Sequence, residues 1–452
     1  VRNADGAVLA EARRLLAALR VPPGWQAEVF LTRSRSRDVA WAESRPKDVV
    51  VGEEEGLSVR ALRGGRQGFA YAGEVSAAAA RSLWRQAADS AAESPADRHR
   101  VLYVPDGPRG PSEDGDSDPA LFGDGVDGLQ QRLAAQEKRL LRSDRRLRKA
   151  LSLAFHEQSG ASAVASTAGV AAARRFGSAS YSVELMAESR GETQVAWDYS
   201  ETRRWADLRP EDVLDRAREA ALASFGARPV PSGRWTVLFR PRVGVELLEL
   251  LAEALGADSA QRSRSFFAGR RGRRVASPAV TLVDDARLPG GLASAERDDE
   301  GCPTRRVALV EGGVLKDFLY DAYTARREGR PSGGNAGRPG VSGPPSPDSS
   351  NFFLAPGAVP AADLLAGTPR GYCVEEVLGM HTADPVSGDF SVGTSGRLVE
   401  RGRVVRAVKG VTLAGNLLDL LGRVDAVADD LTWYGSFGSP SFRAAGLSVG
   451  GS

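Results

Sequence analysis

The 452-residue sequence is poor in the residues that most often mark chemistry. It has two cysteines, Cys302 and Cys373, and three histidines, His99, His156 and His381. Two cysteines so far apart argue against a disulfide framework. No two histidines recur at the helical spacing of metal ligands. Charge of one sign is not in excess either. Sixty Lys and Arg stand against 58 Asp and Glu, a net charge of +2, which gives no general argument for nucleic acid or an anionic membrane. No apolar run approaches the roughly 20 residues a spanning helix needs. The stretch VRNADGAVLAEARRLLAALR lacks the unbroken apolar core and small-residue cleavage site of a secretory signal, and valine at position 1 reads as an alternative or trimmed start. The expectation is a cytoplasmic protein without membrane or nucleic-acid partners.

Enough is present for ordinary cores. Apolar residues make up 42% and charged residues 26%, and the length predicts two or three domains. Val8, Leu9, Ala12, Leu15, Leu16 and Leu19 repeat at helical spacing and stop at Pro22-Pro23. Alternating, glycine-broken strands follow, then helices over SAAAARSLWRQAADSAAES and DGLQQRLAAQEKRLLRSD. More strands run from 147 to 207, and Pro210 opens a further helix. GARPVPSG, residues 226–233, reads as the boundary between domains 1–226 and 234–452. The expected fold class is α+β: an N-terminal α/β domain with mixed sheet and helices, and a C-terminal β-rich domain of twisted antiparallel sheet. The Gly/Pro/Ser-rich stretch 329–350 has few apolar anchors and is expected to be a mobile loop.

Several stretches invite a chemical reading and have a plainer one. Asp298, Asp299 and Glu300 precede a strand–Gly312-Gly313–strand pattern. A solvated approach to a hairpin is expected there rather than a metal site. Counting an EF-hand loop from Asp114 puts Pro119 and Gly125 where glycine and glutamate are required, so a disordered acidic loop is expected instead. The run AGRRGRRV has only Phe266 and Phe267 nearby for stacking, which makes nucleic-acid contact a poor reading. GTSG, 393–396, is expected at a hairpin turn, not at a nucleophile elbow. His156-Glu157 lies on a strand. His381 sits among glycines near Asp389, where a hydrogen-bonded loop histidine is expected.

Over about residues 234 to 452, the ordered motifs RDDEGCP, GGNAGRPG, SNFFLAPG, GMHTADPVSGDFSVGTSGRLVERGRVV and VTLAGNLLDLL resemble the TldD/PmbA family, and within it the PmbA (TldE) branch. The TldD branch carries zinc through H-E-x-x-x-H on a helix plus a cysteine near the C-terminus. Here that helix reads PRVGVELLELLAEALGAD. The motif positions fall on Leu248, Glu249 and Glu253, and the final stretch has no cysteine. Leu247, Leu248, Leu250, Leu251 and Leu255 form an apolar face, with Glu246, Glu249 and Glu253 expected to face water. The resemblance implies a subunit with no cofactor of its own and no catalytic residues. It also implies a heterodimer with a TldD-like, zinc-bearing peptidase acting on unfolded or small peptides, including maturation of modified peptides. His381, Asp389, Asn335 and Arg338 are the candidate substrate or chamber residues, and the 329–350 loop is placed near the partner or chamber mouth. The alternative is a homodimeric peptide-binding protein without proteolysis.

Overall fold

The structure is a computed structural model that describes residues 5–105, 112–115 and 117–451, with the side chains of 5–7 and 381 outside the description. The protein is α+β. Its N-terminal half is built on strands β1 (Gln26–Ala42), β2 (Arg45–Arg63), β3 (Arg66–Ala72), β4 (Ser112–Asp114), β5 (Leu147–Ser166), β6 (Ala171–Ser189) and β7 (Glu192–Thr202). They run in the order β3-β2-β1-β5-β6, with β7 on the flank of β6. Every pairing is antiparallel except the short β4–β6 pair, which makes the sheet mixed. Helices α1 (Asp5–Ala18), α2 (Ala77–Glu93), α3 (Val126–Ser143) and α4 (Pro210–Ala223) lie on it. Odd-numbered residues of β1 and β5, such as Val29, Leu31, Leu153 and Phe155, are buried with the apolar residues of these helices. The pleat sends the even-numbered set to the opposite face. There β1 and β5 carry Ser34, Ser36, His156 and Gln158, which are half-buried.

Between α4 and β8 (Gly233–Phe239) the chain forms no regular element, and Val230 already belongs to the C-terminal core. Beyond it stand α5 (Pro241–Ala254), β9 (Leu282–Asp285), β10 (Arg306–Glu311), β11 (Val314–Leu315), β12 (Ala336–Gly337), β13 (Ser346–Pro347) and β14 (Phe352–Leu354). They are followed by β15 (Arg370–Leu378), β16 (Asp389–Glu400), β17 (Arg403–Asn416), β18 (Val424–Val427), β19 (Thr432–Tyr434), β20 (Phe437–Ser439) and β21 (Phe442–Gly450). Two sheets result, β11-β10-β9-β14-β20-β19 and β17-β16-β15-β8-β21-β18, and β17 also pairs with β21. Both are mainly antiparallel, with one parallel pair each, β14–β20 and β8–β15. The helix α5 packs its apolar face into the core they share. Among the described residues no helix is long and apolar enough to cross a membrane.

The Gly312-Gly313 hairpin forms as expected. Val310 pairs with Leu315 and Glu311 with Val314, and both glycines take positive φ, 53° and 79°. That conformation suits a two-residue turn and favours glycine.

Three expectations need correction. The GTSG segment is not a turn: β16 runs unbroken through it with a register shift, and the chain reverses at Arg401-Gly402. Gly396 serves close approach instead, because a Cβ there would stand 2.0 Å from the Cys373 carbonyl oxygen. The stretch 329–350 is not without regular structure. Its β12–β13 pair is held by polar anchors, Ala336 N donating to Asp298 (3.0 Å) and Asp348 N to the Asn335 carbonyl (2.8 Å). Composition hid this, since the anchors are not apolar. Nor is the acidic triplet solvated: Asp298, Asp299 and Glu300 are all buried. Asp116 of the acidic loop lies outside the described residues. Its neighbours Asp114 and Asp118 accept backbone hydrogen bonds from Glu296 and Trp205.

The triplet joins the two halves. Asp298 accepts the N–H groups of Glu300 (3.0 Å) and Cys302 (2.9 Å) and so shapes its own loop. Asp299 meets Arg174 of β6 at 3.3 Å. Glu300 accepts from Arg60 of β2 at 3.0 Å and from Ala322 N at 2.8 Å. Arg60 also holds Glu28 of β1 (2.7 Å), which in turn takes Arg338 from the C-terminal half. Burial would raise the Glu28 carboxyl, but Arg338 and Arg60 override it and hold it below its ordinary range. Among the described residues Asp298 has no such cation, and burial with the Glu300 charge beside it pushes it well above the usual carboxylate range.

Candidate functional site

The strand β7 reads ETQVAWDYSET. Gln194 and Asp198 are buried, while Val195 and Trp197 are exposed on the alternate face. Trp197 and Tyr199, two residues apart, stack at 6.1 Å with a 15° interplanar angle, and Tyr199 packs against Tyr434 of β19 at 5.5 Å. On its outer side β7 pairs with no other strand among the described residues. The Trp197 carbonyl is reached there by Arg242 Nη1 at 2.9 Å, and the Tyr199 N–H by the Asp198 carboxylate at 2.9 Å. These bonds point away from β6, so Val195, Trp197, Tyr199 and Glu201 turn their backbone polar groups to the free edge.

Facing that edge is α5. Its positions divide by helical period. Val243, Leu247, Leu248 and Leu251 enter the core, while Arg242, Glu246, Glu249 and Glu253 form a stripe on the other side. Between the stripe and β7 lies a cleft of about 700 Å³. Its remaining wall is the end of β15 and the turn after it, with Glu376, Leu378, Gly379 and Met380. Gly379 takes φ 87°, which turns the chain into the short helical turn Met380–Thr382. Arg242 lies over the Trp197 ring at 3.5 Å from its centroid. Glu376 accepts a hydrogen bond from Ser395 at 2.8 Å. Among the described residues, Glu246, Glu249 and Glu253 have neither a hydrogen bond nor an ion pair.

Burial is the main reason the Glu246 carboxyl rises to about 7; Glu249 and Glu376 add to it and Arg242 opposes it. Burial also raises Glu249. A carboxyl with a folded-state pKa above its unfolded value holds a proton in the native state that the unfolded chain releases. Its cost to stability therefore grows as pH rises from about 4.5 to about 7 and persists above. Glu246→Gln is expected to stabilise the protein by about 1 kcal/mol at pH 8, after discounting for partial exposure, and by nothing measurable at pH 4. Urea denaturation at both pH values checks this.

The sequence-predicted residues scatter. Glu249 and Glu253 are exposed, as expected, and line the open cleft, whereas Leu248 is 3% exposed and lies in the leucine core. The backbone turn bearing His381 borders the cleft, and the side chain of His381 lies outside the described residues. Asp389 accepts from Asn416 at 2.8 Å, and its carbonyl takes the Asp384 N–H at 2.9 Å, so it braces the 379–388 segment without lining the cleft. Asn335 donates to the buried Asp284 at 3.0 Å, and Arg338 belongs to the ion cluster between the halves. Sequence reasoning missed Trp197, Tyr199, Tyr434, Arg242 and Glu376. The i, i+2 aromatic pair in AWDYS was the available signal, because it puts two rings on one face of a strand.

A zinc ion with three protein ligands needs imidazole, thiolate or carboxylate donors converging at about 2.0–2.3 Å. Among the described residues no group of three or more His, Cys, Asp or Glu side chains is so placed. Both cysteines are buried away from the cleft, and burial raises their thiols, Cys302 to about 11 and Cys373 to about 12. With Leu248 in the core, the three motif positions do not converge, and the described residues do not fit zinc.

Fold and site together describe a two-part α+β protein with an acidic, aromatic-walled cleft where its halves meet. Residues 232–451 match the PmbA/TldA metallopeptidase C-terminal domain, and residues 27–94 match PmbA/TldA metallopeptidase domain 1. A metalloprotease of Methanocaldococcus jannaschii is 33% identical over 216 residues, 47% of this chain and 48% of that one. A TldD homologue of Haemophilus influenzae is 31% identical over 225 residues, 49% and 46%. The chain spans about half the length of these two relatives. The metalloprotease PmbA of Escherichia coli O157:H7 is 26% identical, with 66% of this chain and 64% of that one covered. The solved structure of TldE from Thermococcus kodakarensis superposes with a TM-score of 0.86 at 22% identity, covering 99% of each chain, which shows the fold. The chain belongs to the PmbA/TldD family of metalloprotease-like proteins.

Proposed function

We propose that this chain is the PmbA/TldE-type, non-catalytic subunit of a two-component zinc metallopeptidase. A TldD-like partner supplies the zinc, and this subunit holds unfolded or small peptides, including modified peptides under maturation, beside it. The observation that carries the reading is the placement of the three motif positions: Glu249 and Glu253 open onto a cleft while Leu248 is committed to the core. The free edge of β7 along that cleft supports peptide binding, since an extended chain can pair with an open strand through main-chain hydrogen bonds alone and tolerate varied sequence.

Reconstitution tests it. A zinc-bearing TldD-type partner, this chain, and their mixture are assayed on an unstructured peptide. The expected result is no cleavage by this chain, weak cleavage by the partner, and at least about tenfold more by the mixture, abolished by chelator. Chelator-resistant cleavage by this chain alone, or a partner equally active without it, overturns the reading.

A further inference from the structure

Three carboxylates in the cleft, Glu246, Glu249 and Glu253, form no ion pair among the described residues, although ion pairs are common elsewhere on the chain; of the three, Glu246 feels the charge of Arg242. The wall opposite is aromatic. One guanidinium is already held there: Arg242 lies over the Trp197 ring and reaches the Trp197 carbonyl on the free edge of β7. The chain thus displays, with its own side chain, the contact that this wall makes with a cation. Aromatic faces and unpaired carboxylates around one partly desolvated space recognise lysine, arginine or a free amino group, by ring quadrupole and by charge. Trp197 (43% exposed) and Leu378 (58%) stay open at the rim, so access is not blocked.

We propose that the cleft selects a lysine or arginine side chain of an extended peptide whose backbone lies along the free edge of β7. This rests on the peptide-binding reading above and adds the substrate class. The strand gives main-chain pairing without sequence preference. The stripe on α5 adds the preference, because side chains of a bound strand alternate and one set would face Glu249 and Glu253.

The test uses the full chain and fluorescently labelled unstructured peptides that share one sequence except for a central residue: arginine, lysine, citrulline or glutamate. Anisotropy titration is expected to rank arginine and lysine about tenfold tighter than citrulline, and glutamate weakest. Glu249→Gln/Glu253→Gln, at two exposed positions, should remove that preference while leaving the citrulline peptide bound as before. Glu53→Gln/Glu54→Gln, on an exposed part of β2, controls for overall charge and should keep it. Equal binding of all four peptides overturns the cationic preference and leaves the peptide-binding reading standing. Binding of none overturns both. A preference that survives the α5 double variant, or that falls equally in the β2 control, overturns the assignment to this cleft.

Discussion

Arg60→Ala is expected to cost about 3–5 kcal/mol of stability. Arg60 is 4% exposed and bridges two carboxylates that are buried as deeply, Glu28 at 2% and Glu300 at 1%. Removing it leaves Glu300 with only the Ala322 N–H, and Glu28 with Arg338 alone. The loss comes mostly from stranding charge away from water, not from the attraction forgone. Arg60 and Glu28 belong to the N-terminal sheet, while Glu300 and Arg338 belong to the C-terminal half. The variant should therefore also loosen the halves from each other and speed hydrogen exchange at the 298–304 and 335–338 backbone. Arg60→Lys keeps the charge but cannot span both carboxylates, so an intermediate loss is expected. Chemical denaturation of both variants gives the numbers. A loss under about 1 kcal/mol for the alanine variant would show that solvent already screens the cluster.

That cluster also marks where the sequence stops being legible. The acidic triplet looks like a solvated run because the cations that hold Asp299 and Glu300 lie far along the chain: Arg60 and Arg174 in strands of the other half, Arg338 in a glycine-rich stretch. Local pattern carries no trace of a long-range ion pair. The same limit explains the 329–350 segment, whose anchors are a buried Asn and Arg rather than apolar residues. Where structure is set by local period, the reading held. The helices at 5–18 and 241–254 follow their apolar spacing, and Gly312-Gly313 makes its hairpin because positive φ at two successive positions favours glycine. The division of α5 into a leucine face and a glutamate stripe was equally legible. What the stripe faces was not, because β7 and β19 reach it only through the tertiary fold. The GTSG segment shows a third limit: a glycine pair reads alike whether it serves a turn or, as at Gly396, a close backbone approach.

Leu248→His, the substitution that would restore one position of the zinc motif, is expected to destabilise the protein by about 2–4 kcal/mol and to confer no zinc binding. Leu248 lies with Leu247, Leu251, Leu282, Leu420 and Phe442 around a space of about 20 Å³. The imidazole would lose the packing of leucine and bring two ring nitrogens into a site whose side chains offer only the Ser439 hydroxyl, already bonded to the Pro440 carbonyl. To avoid charging there it would stay neutral, with its pKa pushed down by burial. Adding Glu253→His places a second imidazole on the cleft side, yet the two rings would leave the helix toward different surroundings and could not close on one ion. Leu248→Ala, which only removes volume, should cost about 2–5 kcal/mol and serves as the packing reference. Denaturation curves give the stabilities, and elemental analysis of the purified wild type, single and double variants gives the metal content. Wild type and both histidine variants should each contain far less than one zinc per chain. One tightly bound zinc in the double variant would mean that position 248 can swing from the leucine core to the cleft, and the division of α5 into core and cleft faces would have to be redrawn.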